Sequence, residues 1–181
     1  NCEFSIYETH QSAYNVKLHF EHLAFTGMLR GKKWMKLQNK SNYFEYLPGE
    51  SVLVAPGETM VIDFPDADKD ASQCISLTLN PEFVQESLDL LNFNAKKVDD
   101  SSQWNISLEE FYLLNSKALA SATNNIMRIA MDDNSYKDVI ADFALKELLI
   151  RLMQTQARNL VEKNTLKNKS RIGFVADYIK K

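Results

Sequence analysis

Glycine is scarce in this chain, with five residues among 181, and no glycine-rich run stands where a phosphate-cradling loop would need one. Cysteine is scarcer still: Cys2 and Cys74 form no disulfide framework, and they read as reduced thiols of a cytoplasmic protein. Three histidines, His10, His19 and His22, all lie early, and no cluster of His, Cys and carboxylate has metal-ligand spacing. Basic charge is not in surplus either. Twenty-one Lys and Arg against 24 Asp and Glu leave a net charge of −3, which argues against nucleic-acid binding by this stretch. No apolar run approaches the ~20 residues that span a bilayer, and the first residues lack the basic-then-apolar layout of a secretion signal. Serine and cysteine never sit in a nucleophile elbow, and acidic pairs are scattered without glycosidase-like placement. Cys74, in the middle of an apolar strand pattern, reads as a packing residue.

What is present is an ordinary globular composition, 45% hydrophobic and 25% charged, in a chain long enough for one core with a helical appendage. From Phe4 to Leu79 the hydrophobic pattern has period two and the breakers sit close together. It predicts strands at Phe4 to Thr9, Tyr14 to Leu18, His22 to Arg30, Lys33 to Gln38, Tyr43 to Leu47, Ser51 to Ala55, Thr59 to Phe64 and Gln73 to Leu79. Pro-Gly-Glu occurs twice, at Pro48-Gly49-Glu50 and Pro56-Gly57-Glu58, and brackets one short strand between two turns. Gly31-Lys32 suits a two-residue hairpin. Eight short strands with tight turns favour an antiparallel barrel or sandwich.

After Asn80-Pro81 the period becomes helical. Phe83, Val84, Ser87, Leu88 and Leu91 mark a first helix, and Asn92 to Asn105 reads as a polar linker. Ser107 with Glu110 three residues on predicts a capping box that opens a long helix. Its seam would be Leu108, Phe111, Tyr112, Leu119, Ala122, Ile126 and Ile129. A second helix, Tyr136 to Gln156, is apolar on nearly all sides and needs cover on more than one face, from its own chain or from another subunit. Arg158 to Ser170 is polar and basic and reads as a linker.

Met28-Leu29-Arg30-Gly31, Leu47-Pro48-Gly49-Glu50, Val54-Ala55-Pro56-Gly57-Glu58 and Leu79-Asn80-Pro81 resemble the cupin-type N-terminal domain of AraC-family transcription regulators. The helices after the barrel resemble that family's dimerisation helices, and Arg171 to Lys181 is similar to the opening helix of its DNA-binding domain. The fold class implied is α+β: an antiparallel, cupin-like, jelly-roll β-barrel over 1–80, then an antiparallel helical pair for dimerisation over 81–157. A linker over 158–170 and the start of a helix-turn-helix domain over 171–181 would follow. The resemblance implies a homodimer whose barrel senses a small-molecule effector and controls DNA binding through residues beyond Lys181, with no catalysis and no membrane. The dimer would use the seam from Leu108 to Ile129.

Metal-binding cupins place a histidine where this chain has Met60, so no metal or other cofactor is expected. Sugar-binding members use aromatic and histidine groups at positions that are Ile62, Cys74 and Ser76 here, which points away from a sugar. Alternation places Met60, Ile62 and Phe64 inside the barrel with Cys74, Ser76 and Thr78. Thr26, Met28, Met35 and Leu37 share the inner face of the Arg30 hairpin, opposite Leu29, Trp34, Lys36 and Gln38. Thr26, Met28, Met35, Met60, Ile62, Cys74 and Ser76 are therefore the candidate effector contacts, and a filled core with no ligand is the competing reading. A metal-dependent cupin isomerase or dioxygenase and a purely structural dimerisation domain are the alternative functions.

Overall fold

The computed structural model describes residues 1–40, 42–94 and 103–179, the stretch from 164 onward as backbone alone. Eight strands come first: β1 (Cys2–Thr9), β2 (Ala13–Phe20), β3 (Ala24–Arg30), β4 (Lys33–Leu37), β5 (Phe44–Tyr46), β6 (Glu50–Val54), β7 (Glu58–Phe64) and β8 (Ser72–Leu79). Helix α1 (Pro81–Asn94), a short strand β9 (Tyr112–Leu114) and helices α2 (Lys117–Ala130) and α3 (Lys137–Ile179) follow. The strands form two sheets, β1-β8-β3-β6-β9 and β2-β7-β4-β5, with every pairing antiparallel.

Both Pro-Gly-Glu triplets make the turns their chemistry predicts. Gly49 and Gly57 take φ of 88° and 76°, a conformation that side chains with a Cβ resist. The amides of Glu50 and Glu58 each donate back across the turn, to Leu47 O and Ala55 O, at 3.1 Å. The Glu50 carboxylate then accepts from Leu47 N at 2.7 Å, and Glu58 accepts from the Asn39 side chain at 2.8 Å. The same tripeptide thus closes its own turn once and ties down a neighbouring loop once.

Two core layers result, one on each face of the five-stranded sheet. Between the sheets lie Met28, Met35, Leu37, Tyr46, Val52, Met60, Ile62 and Phe64, among others. On the outer face Phe25, Leu53, Ile75, Leu77 and Leu79 pack against Leu119, Ile126, Leu145, Leu148 and Leu152 of the helices. Strand β8 belongs to both layers, because its residues alternate sides. Cys74 and Ser76 face the barrel, Ile75 and Leu77 face α2 and α3, and all four are buried.

Helix α1 starts as Asn80-Pro81 predicts, with Asn80 Oδ1 accepting from the amides of Glu82 (2.8 Å) and Phe83 (3.2 Å). The long helix expected from Ser107 does not form. Glu110 N does donate to Ser107 Oγ at 3.3 Å, as a capping box requires. The chain then extends instead: Leu53 N donates to Phe111 O at 2.7 Å, and Tyr112, Leu113 and Leu114 pair with Val52, Ser51 and Glu50. A helix here would leave the free edge of β6 unpaired, and that buried edge outweighs a local capping signal. The sheet therefore takes a strand from beyond residue 80. Helix α2 begins only at Lys117, where Ser116 Oγ accepts from Leu119 N at 3.1 Å.

The expected linker at 158–170 is also helical, since α3 runs through it to Ile179. It holds no Pro or Gly to stop the helix, and Arg158 and Glu162 form an i,i+4 pair at 3.7 Å. Of the polar stretch expected at Asn92 to Asn105, the first residues complete α1, while 95–102 lie outside the described residues. Half-buried Trp104 is held by Asn92, whose Nδ2 donates to Trp104 O at 3.0 Å. Lys180 and Lys181, the end of the expected helix-turn-helix start, also lie outside the described residues.

Candidate functional site

Between the two sheets is a cavity of about 110 Å³. Met60, Ile62 and Phe64 of β7, with Val16 and Leu18 of β2, give it one apolar wall. Ser72, Cys74 and Ser76 of β8 and Thr26 of β3 give the facing wall. Tyr7 and Val16, 43% and 36% exposed, stand at its rim, where the edge strands β1 and β2 approach each other.

The inner wall also carries Lys33, 2% exposed. Its position follows from strand alternation, since Lys33, Met35 and Leu37 share one face of β4 and all are buried. The Lys33 ammonium donates to Cys74 Sγ at 3.1 Å and lies 5.3 Å and 5.7 Å from the ring centroids of Tyr46 and Phe64. Among the described residues no carboxylate comes within ion-pairing distance of it. Two hydroxyls of the same cavity, Ser72 Oγ and Ser76 Oγ, are buried with no hydrogen-bond partner among the described residues. An unpaired buried charge costs several kcal/mol, and aromatic faces near 6 Å return about 0.5–2 kcal/mol. The polar wall is thus underpaired in the chain by itself.

Its surroundings are otherwise closed. The Tyr46 hydroxyl donates to Thr26 O at 2.8 Å and meets Thr26 Oγ1 at 3.1 Å, so both polar groups are satisfied. Burial pushes the Tyr46 phenol well above its ordinary range. At the outer rim of β9, burial followed by the neighbouring Glu50 carboxylate raises the Tyr112 phenol in the same direction.

Of the residues expected to face an effector, Thr26, Met60, Ile62, Cys74 and Ser76 line the cavity. Met28 and Met35 are buried in the same layer, 4% and 0% exposed, but do not line it. Lys33, Ser72, Tyr7, Thr9, Val16 and Leu18 line it too and were not anticipated. For Lys33 the signal was present in the parity it shares with Met35 and Leu37, and its charge argued against using it.

The residues expected to pair two subunits separate into unlike environments. Leu119, Ala122, Ile126 and Ile129 are 0–6% exposed and packed in the chain's own outer core. Phe111 is half-buried, Tyr112 lies in β9, and Leu108 is 43% exposed ahead of it. The seam is therefore intramolecular from Leu119 onward. The uncovered apolar face belongs to the start of α3: Tyr136, Val139, Ile140 and Phe143 are 72%, 58%, 40% and 69% exposed.

His10, His19 and His22 are exposed; His10 meets Glu8 at 3.2 Å and His19 meets Thr59 Oγ1 at 3.0 Å. Among the described residues no group of three or more His, Cys, Asp and Glu is placed to hold a metal ion, and no helix is long and apolar enough to cross a membrane.

This architecture is that of known proteins. An apo form of ToxT from Vibrio cholerae, with one substitution, matches at a TM-score of 0.54 and 12% identity over 90% of this chain and 56% of that one. A second ToxT structure from the same organism matches at 0.53 and 8%, over 86% and 57%. A cupin superfamily protein from Desulfitobacterium hafniense matches at 0.37 and 12%, over 43% and 66%. The chain spans little more than half the length of the ToxT chains it matches. No curated protein matches it by sequence. The model of the AraC-type transcriptional regulator N-terminus matches residues 3–160, and the chain belongs to that family.

Proposed function

We propose that this chain is the effector-sensing and dimerising part of an AraC-type regulator, in which a small molecule in the barrel governs a DNA-binding segment lying beyond Lys181. It binds rather than catalyses, and it works in the cytoplasm, where Cys2 and Cys74 stay free thiols. One observation carries the reading: β8 forms the wall of the barrel cavity with one face and the seat of α2 and α3 with the other. A ligand that favours one placement of β8 thereby favours one placement of the helices.

The homodimer forms through the start of α3 rather than through α2. Tyr136, Val139, Ile140 and Phe143 leave an apolar stripe in water along a helix that also carries Lys137, Asp138, Asp142, Lys146 and Glu147.

A thermal-shift screen of small metabolites tests the sensing role, because a molecule that binds the native state raises its stability by mass action. The stabilised response should disappear in Ser76→Leu, which fills the cavity. An equal response in both proteins would place the effector elsewhere and sink this reading.

A further inference from the structure

Resting on that sensing role, we propose that the effector is a short-chain monocarboxylic acid, its carboxylate held by Lys33, Ser72 and Ser76 and its hydrocarbon by the β2 and β7 wall. Four features of the site point to that chemistry. The ammonium of Lys33 is buried without an acidic partner among the described residues and presents donors to the cavity. Ser72 Oγ and Ser76 Oγ stand on the same wall, both side chains at least 97% buried, with no hydrogen-bond partner among the described residues. A hydroxyl donates one proton, so one cation and two hydroxyls supply the donors that a single carboxylate accepts. They match a monoanion better than a phosphate, which brings more charge than one ammonium balances.

The opposite wall decides the rest of the molecule. Val16, Leu18, Met60, Ile62 and Phe64 offer no polar side-chain group, the hydroxyls of Tyr7 and Thr9 being on β1, so a sugar or a hydroxylated acid laid against the β2 and β7 wall would lose hydrogen bonds to water that this wall does not replace. The group beyond the carboxylate is therefore hydrocarbon. Its length follows from the volume: about 110 Å³ is the share of roughly four water molecules, room for a carboxylate with a tail of a few carbons. A longer chain would have to leave past Tyr7 and Val16 into solvent.

The test is calorimetric titration of the protein with butyrate, hexanoate and dodecanoate, with 1-butanol and 1-hexanol as uncharged counterparts and inorganic phosphate as a bare anion. Butyrate or hexanoate should bind saturably, while the alcohols and phosphate should not. Charge-assisted hydrogen bonds of this kind are worth about 10- to 100-fold in affinity, so Lys33→Met should weaken binding by that factor. Ser76→Ala should weaken it by a smaller one, and circular dichroism confirms that each variant is folded. Alcohols that bind as well as acids, or acids that bind Lys33→Met unchanged, would overturn the carboxylate assignment. Binding of dodecanoate alone would overturn the size limit. If no acid binds but another class of metabolite stabilises the wild type and not Ser76→Leu, this inference fails and the sensing role stands; if nothing of any class binds, both fail.

Discussion

Lys33→Met should make the ligand-free protein more stable. The ammonium sits 2% exposed in an apolar barrel, with only a thiol at 3.1 Å and two ring faces beyond 5 Å to replace its water. Taking an ion out of water costs several kcal/mol even after relaxation. The two rings, near the outer limit for such contacts, return about 0.5–1 kcal/mol each, and the weak thiol acceptor adds little. The balance is a deficit of about 1–3 kcal/mol. Methionine keeps most of the unbranched stem and removes the charge, so this deficit becomes the expected gain. For a chain of this size each kcal/mol moves the melting temperature by about 2–4 °C, giving an expected rise of about 3–10 °C. Urea unfolding followed by circular dichroism, without added acid, measures it directly. Lys146→Met is the control: half-buried Lys146 lies 5.9 Å from the Phe83 ring at a water-accessible position, and its replacement should fall within about 0.5 kcal/mol of wild type. If Lys33→Met instead loses more than about 1 kcal/mol, the ammonium is a net stabiliser of the fold, and the argument that it awaits a ligand is wrong.

Other perturbations follow from single contacts. Gly57→Ala should cost about 1–2 kcal/mol, the strain of a left-handed residue, because nothing lies within 4 Å of the added methyl; Gly31→Ala should cost clearly more, since its Cβ would stand 2.7 Å from Ala71 O. Equal losses in urea melts would refute the steric part. Phe143→Asp should give a monomer by light scattering with an unchanged melt, whereas Ile126→Asp, at a site 6% exposed, should lose about 4 kcal/mol or more; a Phe143→Asp protein of unchanged mass removes that face from the interface. Stability should fall as pH rises above about 10, the ordinary tyrosine range. Burial holds the Tyr46 phenol protonated in the folded chain, so the unfolded chain releases its proton first and alkali draws the equilibrium toward it. Tyr46→Phe should lessen that alkaline fall, and an identical pH profile would contradict it. Gln156→Ala should speed amide exchange in β9 by about 10-fold, because Gln156 Nε2 donates to Ser107 O and Glu110 O at 2.6 and 3.0 Å while its Oε1 accepts from Ser107 N; unchanged exchange would show that α3 does not clamp that segment.

The parts of this fold that were legible in the sequence are those fixed by local chemistry. Gly49 and Gly57 are left-handed because a Pro-Gly pair leaves little else, and the strands between breakers fall within two residues of their expected ends. β9 was not legible. Ser107 and Glu110 do make their capping contact, yet the edge they meet belongs to β6, more than fifty residues earlier, and no window around Ser107 contains it. The α2 seam shows a related limit. Periodicity correctly marked Leu119, Ala122, Ile126 and Ile129 as a face that must be covered, but it carries no record of whether α3 or a second subunit covers it. Lys33 was missed for the opposite reason. Strand parity placed it inside, average behaviour placed a lysine outside, and the exception stands in the cavity where the chemistry of recognition would be needed.

How an occupied barrel would reach the helices is a matter of parity on two strands. On β8, Cys74 and Ser76 meet the cavity while Ile75 and Leu77 meet the helical layer, and a slip of one residue would exchange them. The strand therefore shifts as a whole or not at all, carrying the seat of Leu145, Leu148 and Leu152 with it. On β6, Val52 and Val54 face the barrel and Leu53 faces the helices, while its edge holds β9, whose approach Gln156 fastens to α3. Both routes converge on the middle of α3, and from there the helix continues unbroken to Ile179. Coupling of the usual size, 1–3 kcal/mol or about 5- to 150-fold in affinity, requires only that the effector fit one of two such placements better than the other. A cavity whose polar wall is underpaired until an anion enters has that property, because its filled and empty states differ in the most expensive interaction of the barrel.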